Sequence, residues 1–311
     1  MKRIACAAAL LTSSAATAMP PPEPIRAMID TALAGKDPAT VAAVVSVAKR
    51  TAPDSAAEID AIVADYSKSV AAAAAAKAQA ERERIASAGL LSLWRGQLEL
   101  GGSWSTGNTR SLGLYGAAKL TREGIDWRHD LSARVDYQET NRVATTERAV
   151  IAYQPRYKID GTYYAYGLTQ YEHDRFLGYR HRLTEGVGVG VVAASRPNFR
   201  LEFDAGPAFR YTSYYDLPDV PGIDGGREKR LAGRGGLSLK WTIWPNVTFG
   251  QDAAVYVQKG NTTATSTTAL DTRLFGPVKA RLSYNVQYES DAPAGQKTTD
   301  AVSRASIVYS F

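Results

Sequence analysis

Val278-Lys-Ala-Arg-Leu-Ser-Tyr-Asn-Val-Gln-Tyr-Glu289 alternates without a break: Val278, Ala280, Leu282, Tyr284, Val286 and Tyr288 share one parity, and Lys279, Arg281, Ser283, Asn285, Gln287 and Glu289 the other. Successive side chains of an extended chain point to opposite faces, so this stretch is a long strand with one apolar and one polar face. Trp94 to Ser105 repeats the pattern, and so does Phe199 to Thr212, with Phe199, Leu201, Phe203, Ala205, Phe209 and Tyr211 opposing Arg200, Glu202, Asp204, Ala208, Arg210 and Thr212.

The punctuation around these runs is regular. Short turn signals fall at Glu123-Gly124, Asp160-Gly161, Arg196-Pro197-Asn198, Pro245-Asn246 and Gly276-Pro277, each interval leaving room for two long strands and a loop. Five turns and two ends predict six hairpins, hence about 12 strands. Longer, polar connections are expected at Asn141–Thr146, Arg175–His181, Tyr214–Lys229 and Asp291–Lys297, with shorter ones at Thr106–Thr109 and Lys259–Thr263. Short turns at one end, longer loops at the other and an even strand number are the layout of an antiparallel transmembrane β-barrel. Pro155 and Pro207 fall inside strands, where each removes a ladder donor, so either bulges or a shifted strand register are expected there. Tyr163 and Tyr164 compete for the outward face of their strand.

Alternation alone does not fix the solvent. A soluble barrel fills its inside with apolar side chains and shows water a polar outside, whereas here the charged parity belongs inside and Trp, Tyr, Leu and Val are left with no amphipathic helix to cover them. Lipid is the natural cover. Aromatics mark both expected interfaces: Trp94, Trp127, Tyr157, Phe199, Trp244, Phe249 and Phe275 at the short-turn end, Trp104, Tyr137, Tyr171, Tyr211 and Tyr288 at the other. The chain ends in Ile307, Tyr309 and Phe311 at alternate positions, resembling the C-terminal signal by which bacterial barrel-assembly machinery recognises its substrates.

The composition divides at the same place as the periodicity. Residues 1–88 hold one glycine, Gly35, and one aromatic, Tyr66, of the 26 glycines and 29 aromatics in the chain of 311 residues. Lys2 and Arg3, the apolar run Ile4–Leu11 and the small residues Ala16-Thr17-Ala18 form a secretory signal, 1–18, cleaved near Ala18. Residues 19–88 read as an Ala-rich helical segment: Ile25–Leu33, Pro38–Arg50, and Asp54 to about Ala88. Ile59, Ile62, Val63, Tyr66 and Val70 form a stripe that dissolves into alanines, so a solvated periplasmic spacer or weakly docked hairpin is expected, with a periplasmic or peptidoglycan contact as its role. The barrel then occupies 89–311.

The only cysteine, Cys6, lies in the signal, which excludes thiol chemistry and disulfides from the mature chain. Of the formal charge of +6, residues 89–311 carry +5, spread through the alternating sequence and not clustered, which argues against a nucleic-acid partner.

Gly102-Ser-Trp-Ser-Thr-Gly-Asn-Thr109, Trp127-Arg-His129, Tyr171-Glu-His-Asp-Arg-Phe176, Ala205-Gly-Pro207 and Tyr288-Glu-Ser-Asp-Ala-Pro293 together resemble the salt-induced outer-membrane protein family, also called YdiY-like, a domain of unknown function. The similarity covers 95 to 311 and leaves the helical segment aside. It implies an outer-membrane barrel in a Gram-negative bacterium, carries no catalytic residues, and leaves the activity open.

By alternation the inner face carries Arg95, Glu99, Lys119, Asp126, Arg128, Asp130, Arg134, Asp136, Arg156, Arg200, Glu202, Asp204, Arg210, Asp252, Lys279, Arg281, Glu289 and Arg304. Charges of both signs either wet a narrow channel for ions or small polar solutes, or close into a salt-bridge lattice. Gly186, Gly188 and Gly190 face the lumen and are expected to leave a groove along one wall.

Three function classes follow: a channel, a non-conducting envelope barrel that anchors the helical segment, and an outer-membrane hydrolase. Glu172, His173, Asp174 and Arg175 cluster near the outer mouth, but adjacent residues on a strand point in different directions, so neither a metal nor a cofactor is expected there. His129 belongs to the lipid-facing register, and no Ser/His or Asp/His spacing suggests a hydrolase. Asp216, Asp219 and Asp224 read as an exposed loop in preference to a calcium site.

Overall fold

The computed structural model describes residues 19–89, 91–105, 110–215, 226–292 and 297–311. The signal segment and the loop aspartates Asp216, Asp219 and Asp224 lie outside these. Two compact units divide between Arg84 and Ile85.

The first unit is helical: α1 (Glu23–Gly35), α2 (Pro38–Thr51), a short 3₁₀ turn at Pro53–Ser55 and α3 (Ala56–Ser87). Local chemistry sets these ends. Lys36 closes α1 in the left-handed region, and Asp37 caps α2 by accepting from the Ala39 and Thr40 amides, with Pro38 preset for the first turn. Ile29, Leu33, Ala48 and Ile59 are buried against one another, Tyr66 packs beside them, and its hydroxyl donates to the Leu33 carbonyl at 2.7 Å. The segment is therefore more than the expected spacer. Three helices share a small core, and α3 is exposed throughout from Ser67 to Arg84, Val70 included.

The second unit is a closed, all-antiparallel barrel of twelve strands, each paired with its sequence neighbours and the last with the first. The strands are β1 (Trp94–Ser105), β2 (Ser111–Glu123), β3 (Trp127–Thr140), β4 (Val143–Lys158), β5 (Tyr163–Asp174) and β6 (Tyr179–Arg196). They continue as β7 (Phe199–Tyr214), β8 (Arg227–Trp244), β9 (Val247–Gln258), β10 (Asn261–Phe275), β11 (Val278–Glu289) and β12 (Thr299–Ser310). Twelve to eighteen residues per strand exceed what an untilted crossing of a bilayer needs. Among the described residues no helix is long and apolar enough to cross a membrane, so any crossing falls to the strands.

The outer wall is apolar along its length. Val187, Val189, Leu282, Tyr284 and Ile307 are each about half exposed or more, with Trp127, Tyr157, Trp244 and Phe275 at the end that holds Trp94 and Phe311. His129 belongs to this wall, its ring stacked on Tyr153 and its Nδ1 2.8 Å from the Tyr153 hydroxyl.

Several expectations about connections change. The β3–β4 loop shrinks to Asn141-Arg142, both at positive φ, a two-residue hairpin that matches the strand twist. Asn141 also ties the rim: its side chain accepts from the Arg110 amide at 2.9 Å and its own amide donates to the Arg110 carbonyl at 2.7 Å. Lys259-Gly260 is equally tight, with Gly260 at φ 85°. Neither Pro155 nor Pro207 makes a bulge: the β4–β5 register is unchanged from Tyr153↔Thr169 to Arg156↔Tyr166, and the β6–β7 register from Gly186↔Ala208 to Val189↔Ala205. Each proline simply omits rungs. Asp126 sits exposed in the β2–β3 turn and is not on the inner face. Tyr163 takes the outward position and Tyr164 the inward one.

The seam that closes the barrel is short. β1 pairs with β12 only from Gln97↔Ser310 to Gly101↔Ser306, while its pairing with β2 runs from Trp94 to Ser105. The terminal end of the seam is tightly made: Gly96 and Phe311 exchange backbone hydrogen bonds of 2.8 and 2.9 Å. A side chain at Gly96 would collide with the Phe311 ring, its Cβ falling 2.3 Å from the ring edge.

Candidate functional site

The inner wall holds the chemistry, and its members meet across the lumen. Strand pairing places β4 and β11 far apart around the ring, yet Arg148 on β4 bonds Gln287 on β11, and Arg182 on β6 reaches Glu289 on β11 at 3.7 Å. Arg134 on β3 donates to Asn285 on β11 at 2.8 Å, and Arg210 on β7 to the Thr263 hydroxyl on β10 at 3.0 Å. Such contacts exist only through the middle of the barrel.

Towards the loop end the lattice is dry. Arg148 and Arg182 share the Glu172 carboxylate at 2.7 and 3.7 Å, and the side chains of Arg182 and Glu289 are each 2% exposed. Asn261 and Thr263 add donors to Glu289. A charge that lines a water-filled pore keeps its hydration; these have exchanged it for one another. Such pairing repays the desolvation cost only where hydrogen bonds complete it, and deleting one partner exposes that cost, about 3–5 kcal/mol.

The rest of the wall follows the same rule. Asp136 holds Arg134 at 2.7 Å and Arg304 at 2.5 Å. Glu202 gathers Arg156 at 2.6 Å, Arg128 at 3.6 Å and Arg200, while Asp130 lies 3.0 Å from Arg128 and 3.3 Å from Arg156. Arg281 bridges Glu99 at 2.7 Å and Asp271 at 2.6 Å. Arg234 pairs with Asp204 and lies over the rings of Tyr166 and Tyr256. One cross-lumen pair stays wet: Lys119 on β2 and Asp252 on β9 are 3.4 Å apart with both side chains more than half exposed.

One sector of the inner wall is apolar, which alternation did not suggest. Tyr164, Tyr166 and Leu168 of β5 are buried with Ala208, Ala232 and Tyr256. They occupy the space that the β6 glycines leave, so the expected groove is filled: a Cβ on Gly190 would lie 2.2 Å from the Tyr164 ring, and one on Gly188 2.6 Å from the Tyr166 ring.

The candidate mouth cluster separates. Glu172 and Asp174 turn inward to Arg148, His173 turns outward with its Nδ1 3.0 Å from the Arg180 carbonyl oxygen, and Arg175 lies exposed in the β5–β6 turn beside Glu147. His181 contacts the Tyr171 hydroxyl at 2.8 Å on the outer wall. No group of three or more metal-ligating side chains occurs among the described residues. Arg95 and Lys279 share the inner register at the terminal end.

Arg148, Arg182 and Arg234 were absent from the sequence-derived list. Arg182 abuts an expected loop, and Arg234 stands among Gly233, Gly235 and Gly236, where no apolar partner reveals the parity. Arg148 stays in step with Val150 and Ala152, so inward apolar neighbours hide its direction.

A family model described as "Protein of unknown function, DUF481" matches residues 98–311. Among solved structures, similarity extends to the NanC porin, at 13% identity over 68% of this chain and 98% of that one, with a TM-score of 0.42. The translocator domain of the autotransporter NalP from Neisseria meningitidis matches at 16% identity over 77% of this chain and 96% of that one, TM-score 0.42. An outer membrane channel from Pseudomonas putida F1 matches at 6% identity over 70% and 95%, TM-score 0.43. No curated protein matches the sequence.

Proposed function

This chain belongs to the DUF481 family, and from its barrel we propose a Gram-negative outer-membrane protein whose lumen is closed by an ion-pair lattice, a non-enzymatic envelope barrel that anchors a periplasmic helical unit. The supporting observation is the dehydrated set Glu172, Arg182 and Glu289, which reaches across the barrel from β5 and β6 to β11. In this reading residues 1–18 direct export and are removed near Ala18, the termini of the barrel face the periplasm, and Phe311 presents the end of β12 to the assembly machinery. Residues 19–88 then lie in the periplasm, where the solvated part of α3 offers a contact to peptidoglycan or another envelope protein.

A narrow channel for ions or small polar solutes is the second reading. It draws on the wet Lys119–Asp252 pair, which places water-accessible charge inside the wall. The two separate in a planar bilayer. The closed barrel gives no unitary steps as the full chain, whereas Arg182→Gln with Arg148→Gln, which unties the cross-lumen bridges, gives steps or noisy leakage. Stable single-channel steps from the unaltered chain would overturn the closed reading in favour of the channel.

A further inference from the structure

Along the inner wall Lys119 and most arginines stand within ion-pair distance of a carboxylate, and Arg210 is held by neutral partners. The wall ends otherwise at its terminal mouth. There Lys240 of β8, Arg273 of β10 and Lys279 of β11 line a cavity of about 200 Å³ together with Gln97 and Asn246. None of the three cations has an ion-pair partner among the described residues. The single carboxylate in the lining, Asp271, is already taken by both Nε and Nη2 of Arg281, at 2.6 and 2.8 Å.

The register sharpens this imbalance. Arg273 and Lys279 are direct cross-strand partners, so two like charges face each other on one side of the sheet, an arrangement that destabilises a ladder unless a counter-charge sits between them. The neighbouring rung, Thr272↔Ala280, lies on the outer parity, and the lining holds no further acid. Three cations, two side-chain amides and a volume that suits a small polyatomic ion define the missing partner by its chemistry.

We propose that this mouth is a binding site for an oxyanion, a phosphate or comparable group carrying several oxygens, held by Lys240, Arg273 and Lys279. Charge-assisted hydrogen bonds from the two lysines and the guanidinium supply the affinity, and the amides of Gln97 and Asn246 satisfy further oxygens. Because the cavity belongs to the inner wall, a soluble anion is the expected source, and the phosphate of a phospholipid headgroup is the alternative source of the same chemistry.

The test is calorimetric titration of the refolded full chain, in zwitterionic detergent at low salt, with inorganic phosphate. Saturable binding that weakens as sodium chloride rises is expected. Lys240→Gln with Lys279→Gln should weaken it by at least about tenfold, while Arg142→Gln at the opposite rim leaves it unchanged; the folded-band mobility of each variant on a cold gel shows that the barrel formed. Dioleoylphosphatidylglycerol added to the micelles should not compete; competition would support the site and assign it to a headgroup. Absence of saturable phosphate binding by the folded chain, or equal affinity in the double variant, would overturn the proposal. Binding is read without conductance, so a silent bilayer leaves the site standing and a failed titration leaves the closed lumen standing.

Discussion

Gly190 shows how a single missing side chain shapes the lumen. Its absent Cβ is the seat of the Tyr164 ring, and the next inward glycine, Gly188, leaves room for both the Ala205 carbonyl oxygen and the Tyr166 ring. An aromatic laid over a strand glycine recovers the packing that glycine lacks. Gly190→Ala therefore overpacks the wall and should cost about 1–3 kcal/mol, read as a lower midpoint of the unfolding transition in urea. Combining it with Tyr164→Ala should return much of the loss; equal destabilisation in the single and double variants would show that the ring is not what the methyl meets. The sequence told which way these glycines face, because Val187, Val189 and Val191 occupy the alternate positions. What filled the space was illegible, since Tyr163 and Tyr164 are chemically equivalent claimants and the choice between them is made by the neighbouring strand.

Whole elements were largely readable. Strand parity survives in β1, β7 and β11 because lipid on one side and charge on the other leave no tolerance for a slip. The tight Asn141-Arg142 hairpin was overestimated as a loop because the polar residues that follow it, Thr145 and Thr146, belong to β4. In the helical unit the Thr40 hydroxyl, followed by the Thr40 and Ala39 amides, holds the Asp37 carboxyl below the usual value. A carboxylate with a lowered folded pKa stabilises above its unfolded value, about 3.9, and that contribution is lost as pH falls through the folded value. Circular dichroism at 222 nm should thus show the helices weakening below about pH 4, and Asp37→Ala should lower helix stability at neutral pH while flattening this acid step. An unchanged acid step in the variant would place the sensitivity elsewhere. The seam makes a second demand: amides of Gly102–Ser105 and Val302–Ala305 that point towards it have no rung between β1 and β12 among the described residues, so hydrogen exchange there should outrun exchange in Gln97–Gly101. Equal protection along the seam would mean that the strands are zipped to the loop end.

For the molecule as a whole, composition alone separated an alanine-rich part from an aromatic-rich one, and the division between Arg84 and Ile85 falls close to it. The small helical core was missed because Ile29, Leu33, Ala48 and Ile59 are spread over three helices, each carrying too few apolar residues to announce a shared interior. Limited trypsinolysis should cut first in the solvated stretch at Lys77, Arg82 or Arg84 and leave a resistant fragment that ends at Phe311; mass spectrometry that finds early cuts within the strands would contradict two independently stable units. The inner wall also has a connectivity worth reading as a network. Glu202 is a hub with links to Arg128, Arg156 and Arg200, and Asp136 joins Arg134 and Arg304, whereas among the described residues Asp204 hangs by Arg234 alone. Hubs confer redundancy: any one arginine around Glu202 can drift to a neutral residue over generations without stranding the acid. A leaf has no such insurance, so Asp204 and Arg234 must change together or not at all, and the freedom of this wall to diverge is distributed as unevenly as its links.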